Sequence, residues 1–401
     1  MTDIETIPNP APAAVGLVQY HDRHFAEPLE LDCGRTLEDW TLRYETYGRL
    51  APTGDNAILI EHALSGDHHA AGKYSPEDRK TGWWDIMIGP GKAFDTDRFF
   101  VLCSNCLGGC RGSTGPGSVN PATGQPYGMD FPIITLRDVV RAQRRLVEDL
   151  GIRSLAAVTG GSMGGMLSLE WAVRHPEMVR SVIPIATTTR QSAQAIAFDE
   201  VGRLAIMRDP RWHSGRYAAG EGPRDGLAVA RMMAHITYLS DESMHRKFGR
   251  RLQERDRLGF TFDIDFAVES YLRHQGQSFI DRFDANSYLY MTKALDYFDL
   301  GAEFGGLERA FARMQARALV IAFSSDWLYP PYQNKEIAAA MLRAGREASY
   351  VEIETDYGHD AFLLEAEAIT GYVTAFLGAL PAVAAAPRPA GGANPGEAGH
   401  G

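Results

Sequence analysis

The chain alternates between short apolar runs and longer stretches in which apolar residues recur at helical spacing. Residues 57–61, 99–103, 155–159, 182–186, 318–323 and 350–353 are apolar with few charges, the pattern of strands buried on both faces of a sheet. The best-marked helix starts at Thr135. Asp138 stands three residues on, Leu136, Val139, Val140, Leu146 and Val147 fall on one side, and Gly151 ends it. Strand and helix in this rhythm predict an α/β architecture, a mostly parallel central sheet flanked by helices with right-handed crossovers. The rhythm breaks over residues 188–310. No convincing buried strand occurs there, and Arg, Met, Tyr and Phe recur at helical spacings, as in the run 226–235. This segment is expected to be a helical lid insertion over the carboxyl ends of the strands, where open α/β sheets bind ligands and where a cover excludes water. Residues 15–187 and 311–380 then form the core. The ends, 1–14 and 381–401, are rich in Pro, Ala and Gly and are expected to be disordered.

Composition narrows the function classes. With 401 residues, 45% of them hydrophobic, the chain can bury a large core as one domain with an insertion or as two domains. Acidic residues outnumber basic ones 51 to 40, for a net charge of −11, and no Lys- or Arg-rich run occurs. The basic footprint of a nucleic-acid or anionic-membrane binder is therefore absent. No apolar stretch approaches the ~20 residues that cross a bilayer, and the acidic N-terminus lacks the features of a secretory signal. A cytosolic, soluble protein is expected. Cys103, Cys106 and Cys110 read Cys-x2-Cys-x3-Cys, but no fourth ligand follows nearby. With Cys33 they read as thiols of a reducing compartment, and neither a metal nor a bound cofactor is expected.

The chemistry centres on Thr159-Gly-Gly-Ser-Met-Gly-Gly-Met166, a Gly-x-Ser-x-Gly run between an apolar strand and a helix carrying Met166, Leu169, Ala172 and Val173 before Pro176. A serine at such a corner sits in strained backbone, and glycines at 160 and 164 let neighbouring chain pass close by. The hydroxyl is thereby set at a helix N-terminus, where developing negative charge is favoured. A serine nucleophile needs a base and a group to hold that base. In the α/β-hydrolase fold these follow in the order Ser, Asp or Glu, His, each after a strand. Asp326 follows the apolar run 318–323, and His359 follows the run 350–353 through Tyr357-Gly358-His359. Singly, Asp326 could cap a helix before Pro330-Pro331, His359 could be one of twelve ordinary histidines, and Ser162 could line a phosphate loop. No Gly-Lys-Ser/Thr follows the serine, and jointly the three read as a catalytic triad. The oxyanion hole is assigned to the backbone N–H groups of Met163 and of Leu64, which follows the apolar run 57–61 directly.

These residues resemble the homoserine O-acyltransferases of α/β-hydrolase fold, most of them homoserine O-acetyltransferases. The stretches that carry the resemblance are His62-Ala-Leu-Ser-Gly-Asp67, Gly82-Trp-Trp-Asp85, Asn105-Cys-Leu-Gly-Gly-Cys110, Gly112-Ser-Thr-Gly-Pro116 and Gly160-Gly-Ser-Met-Gly-Gly165. They continue with Phe198-Asp-Glu-Val-Gly-Arg203, Phe279-Ile-Asp-Arg-Phe-Asp-Ala-Asn-Ser-Tyr288, Asp326-Trp-Leu-Tyr-Pro330 and Gly358-His-Asp360, so that residues from about 15 to 378 are covered. Glu61 departs from the family, which more often has a small or polar residue there. The resemblance implies transfer of an acetyl group from acetyl-CoA to the hydroxyl of L-homoserine, an early step of methionine biosynthesis, by double displacement through Ser162. It further implies that Arg203 grips the substrate carboxylate, that Asp360 pairs with its ammonium, that coenzyme A enters as substrate, and that the protein is a homodimer. A succinyl donor, a serine acceptor, or an esterase or thioesterase with the same triad are the alternatives, and a non-catalytic binding protein of the same fold is the reading from another class.

Overall fold

The computed structural model describes residues 14–218 and 220–380. The expected disorder at 381–401 and over nearly all of 1–14 falls outside the described residues. Eight strands form the central sheet: β1 (His21–Phe25), β2 (Trp40–Tyr47), β3 (Ala57–Glu61), β4 (Phe100–Ser104), β5 (Leu155–Gly161), β6 (Ser181–Ile185), β7 (Arg317–Phe323) and β8 (Ala348–Ile353). Their spatial order is β1-β2-β4-β3-β5-β6-β7-β8. β2 runs antiparallel to both neighbours, and from β4 to β8 every pairing is parallel. β3, β5 and β6 are buried along their whole length, which is why they carry continuous Ala, Val, Ile and Leu. The sequence reading named neither β1 nor β2. Their charged residues, such as Asp22, Arg23 and Arg43, face solvent and break the apolar run that marks a buried strand.

Helices α1 (Leu136–Asp149) and α2 (Met163–Arg174) lie on one face of the sheet. Thr135 and Asp138 close a reciprocal capping box at the start of α1: Asp138 N–H donates to the Thr135 hydroxyl (3.2 Å), and Thr135 N–H donates to the Asp138 carboxylate (3.0 Å). Between β6 and β7 the described residues contribute no strand to the sheet. This stretch is built from α3 (Ala193–Arg208), α4 (Arg224–Tyr238), α5 (Asp241–Lys247), α6 (Ala267–Ile280), α7 (Ala285–Asp296) and α8 (Leu307–Phe311). It has its own small core of Ile206, Leu227, Ala230, Phe279, Phe283, Tyr288 and Leu289. After β7 come α9 (Pro331–Arg343) and, beyond β8, α10 (Ala361–Leu364) and α11 (Ala366–Gly378), the last covering the opposite face. No single helix among the described residues is long and apolar enough to cross a membrane.

The strand order fixes where a site can form. The chain leaves β3 toward β4 on one side, whereas β5 pairs on the other, so the crossover direction reverses between β3 and β5. A crevice opens at the carboxyl ends of the strands beside such a reversal. The segments that leave those two ends are 62–66 and the turn at Ser162.

Candidate active site

Ser162 joins β5 to α2 with φ 59° and ψ −123°, a conformation that costs an L-residue about 1–3 kcal/mol. The packing around it holds the strain. Ser162 N–H donates to the Ile185 carbonyl (3.0 Å), and the Ser162 carbonyl accepts from Thr187 Oγ1 (2.7 Å) and from the amide of Gly165 (2.9 Å). The end of β3 runs directly beneath, and a β-carbon on either Gly160 or Gly164 would overlap the Glu61 carbonyl. Ser162 opens into a small cavity of about 50 Å³ that Leu64, Gln191, Asp199, Tyr238, Tyr288 and Tyr329 also line.

Asp326 and His359, on the loops after β7 and β8, meet: His359 Nδ1 lies 2.8 Å from Asp326 Oδ2, and both side chains are almost fully buried. The other carboxylate oxygen accepts from the amides of Leu328 and Tyr329, both at 3.0 Å. Asp326 is therefore anchored as an acceptor, so Nδ1 carries the proton and Nε2 is left as the basic nitrogen. Burial opposes protonation of His359, but the adjacent Asp326 carboxylate outweighs it and holds the imidazole above its ordinary range. The histidine ring touches the rings of Tyr238 and Tyr329 (centroids 5.9 and 5.3 Å apart), which line the cavity with Ser162. It also touches Phe362 (5.6 Å), whose ring fills the space beside Gly161, next to the serine. Ser162 thus lines the chamber, and the His359–Asp326 pair stands behind its wall at Tyr238 and Tyr329.

The two amides assigned to the oxyanion hole, those of Leu64 and Met163, have no acceptor within the described protein. Leu64 is held in place through His62, whose Nε2 accepts from the Cys106 amide (3.0 Å) and whose Nδ1 lies 2.8 Å from the Ala63 carbonyl. Burial keeps that imidazole below its ordinary range, which suits a neutral ring accepting at Nε2.

Of the two substrate-binding assignments, Asp360 is adjacent to the base. Burial raises its carboxyl, while His359 and Arg231 pull it back. Arg203, on α3, faces carboxylates of α3 and α7. Its guanidinium is engaged by Asp296 (2.7 Å) and Glu200 (2.9 Å), and Nη1 is buried without a hydrogen-bond partner among the described residues. A cation neutralised twice is a poor host for a third carboxylate. The sequence reading passed over Arg231 on α4. It is buried, sits 5.4 Å from the Tyr238 ring, and donates to Ser65 Oγ (3.2 Å), with no carboxylate in salt-bridge contact among the described residues. A signal for it existed: Arg231 is a charged residue amid Leu227, Ala230 and Ala234, on the face of α4 that turns inward.

Glu61, the family departure, is fully buried under the serine turn. Gln143 Nε2 donates to one oxygen (2.7 Å), and the other has no partner among the described residues. Burial pushes its carboxyl up to about 8. The folded protein thus keeps a proton that the unfolded chain releases from its ordinary value of 4.5 upward, so Glu61 costs stability progressively between those values. Glu61→Gln is expected to raise Tm by an amount that grows from about pH 5 to about pH 8 and then levels. A gain independent of pH in thermal melts would overturn this.

Cys103 and Cys106 are buried; the Cys103 thiol lies 3.6 Å from the Asp67 carbonyl, and Cys110 Sγ accepts from the Asp284 amide (3.4 Å). Among the described residues no three His, Cys, Asp or Glu side chains are arranged to hold a metal.

Residues 56–366 match the α/β hydrolase fold family. The chain is 56% identical over 375 residues to a homoserine O-acetyltransferase of Solidesulfovibrio magneticus, covering 92% of this chain and 94% of the relative. It is 56% identical over 361 residues to a homoserine O-succinyltransferase of Alkalilimnicola ehrlichii, covering 89% and 94%. The crystal structure of homoserine O-acetyltransferase from Bacillus anthracis superposes with a TM-score of 0.85 at 33% identity, over 90% of this chain and 98% of that one.

Proposed function

The chain belongs to the homoserine O-acyltransferases of α/β-hydrolase fold, and from that premise we propose that it carries an acetyl group from acetyl-CoA to the side-chain hydroxyl of L-homoserine. The observation that carries the mechanism is the buried Asp326–His359 contact of 2.8 Å beside the chamber that Ser162 enters. His359 Nε2 takes the Ser162 proton as Oγ attacks the thioester carbonyl carbon. The resulting oxyanion is met by the Leu64 and Met163 amides, whose lack of an internal acceptor leaves them poised for it. The carbon–sulfur bond breaks, and the coenzyme A thiolate leaves with the proton from His359. Homoserine then enters, His359 takes its hydroxyl proton, the acyl group passes from Ser162 to that oxygen, and His359 hands the proton to Ser162 Oγ.

Arg231 is the guanidinium we assign to the homoserine carboxylate, in place of Arg203, and Asp360 is assigned to the ammonium. Fixing both charged ends of the acceptor orients its hydroxyl, which favours transfer over hydrolysis in a chamber that admits little water. Coenzyme A is a substrate in this reading, and the setting is the cytosol, with the protein acting as a homodimer early in methionine synthesis.

Intact-protein mass spectrometry after brief exposure to acetyl-CoA or succinyl-CoA tests the reading. An acetyl adduct that homoserine discharges, with thiol release that depends on homoserine, is the expected result. An adduct formed only with succinyl-CoA would replace the donor, and equal thiol release without homoserine would make the protein a hydrolase.

A further inference from the structure

Three guanidinium groups gather where the segment carrying Leu64 meets the helical insertion. Arg231 Nη1 donates to Ser65 Oγ and Arg282 Nη1 donates to the Ser65 carbonyl, each at 3.2 Å. Arg111 lies 3.1 Å from the Asp67 carboxylate, two residues further on. Arg231 and Arg282 also share one aromatic ring, lying 4.6 and 5.1 Å from the centroid of Phe279. Like charges at this spacing repel. Burial and then the neighbouring Arg231 hold the Arg282 guanidinium below its ordinary range. Asp67 is the carboxylate at hand, and it already faces Arg111; among the described residues, Arg282 has no carboxylate in salt-bridge contact.

The cluster has an inner and an outer part. Arg231 is buried against Tyr238, at the chamber wall, whereas Arg282 and Arg111 reach solvent. In a chain of net charge −11, an outer pair of cations with one carboxylate, Asp67, in salt-bridge contact among the described residues is a local excess that an incoming anion completes. The acceptor has a single carboxylate, which the inner Arg231 accounts for. The donor is different. With its thioester at Ser162 beside the Leu64 amide, its carrier must leave the chamber, and that carrier ends in phosphate groups. Phosphate oxygens match the fork of a guanidinium.

We propose that Arg282 and Arg111 form the phosphate subsite for the donor, holding the nucleotide end of coenzyme A while its thioester reaches Ser162. This rests on the acyl-CoA reading above and adds to it where the carrier is gripped.

The test compares acetyl-CoA, acetyl-dephospho-CoA and S-acetylpantetheine, which lacks phosphate, at saturating homoserine. In Arg282→Gln and Arg111→Gln, kcat/KM for acetyl-CoA is expected to fall about tenfold or more through KM, as loss of a charged hydrogen bond predicts. S-acetylpantetheine and the KM for homoserine should change less than about twofold, and Arg282→Lys should recover most of the loss because it keeps the charge. A loss confined to acetyl-CoA locates the 3′-phosphate at this subsite, and a loss shared with the dephospho donor locates the diphosphate; both support the proposal. Equal losses with the phosphate-free donor, or a rise in the homoserine KM instead, would overturn it. Failure of the native protein to form an acyl-enzyme with any of the three donors would instead remove the donor reading itself.

Discussion

Ser162→Ala will fold normally yet take up no acyl group, and turnover will fall by on the order of 10³-fold or more. Folding should survive because the serine side chain caps no helix bond, while the contacts that hold the turn come from its backbone N–H and carbonyl. Alanine enters the same positive-φ conformation at a similar cost, so the corner keeps its shape. Only the attacking oxygen is lost. Circular dichroism and melting curves should match the native protein, and mass spectra after acetyl-CoA exposure should show no added mass. Turnover retained at the level of a few per cent would remove the nucleophile assignment.

Arg231→Gln is expected to separate the two half-reactions. Acyl-enzyme formation from acetyl-CoA should persist, whereas kcat/KM for homoserine should drop on the order of a hundredfold, the usual result of truncating one partner of a buried charge pair. Arg203→Gln should behave otherwise. It leaves Glu200 without its counter-ion and Asp296 with only Lys293 (3.6 Å) among the described residues, so it should lower the melting temperature while its effect on homoserine use follows only from lost stability. Pre-steady-state mass spectrometry and homoserine titrations on both variants decide the matter. If Arg203→Gln loses homoserine selectively and Arg231→Gln does not, the original assignment of Arg203 returns.

The contrast between these two arginines shows where a sequence stops being informative. Each lies on a helix of the insertion, and each is a single charge in a mixed run. Which one lacks a carboxylate partner among the described residues depends on how α3, α4 and α7 pack together, and in particular on Asp296, more than ninety residues from Arg203 in sequence, being there to pair with it. No local pattern records that. The serine corner is the opposite case. Its glycines, the apolar strand before it and the helix after it are all contiguous, and the order of Asp326 and His359 follows from strand positions that apolar runs mark well. The central strands were legible for the same reason, since burial on both faces leaves an unbroken apolar signature. β1, at the sheet edge, and β2 beside it were not, because antiparallel strands with one partly wet face carry charges that interrupt it.

The carbonyl of Glu61, wedged between Gly160 and Gly164, ties the attacking oxygen and the Leu64 amide to one piece of rigid scaffolding. Retooling the protein for a bulkier donor or a different alcohol is therefore a task for chamber residues between β6 and β7, such as Tyr238 and Tyr288. Substituting either glycine would instead misalign the reacting atoms for every substrate at once.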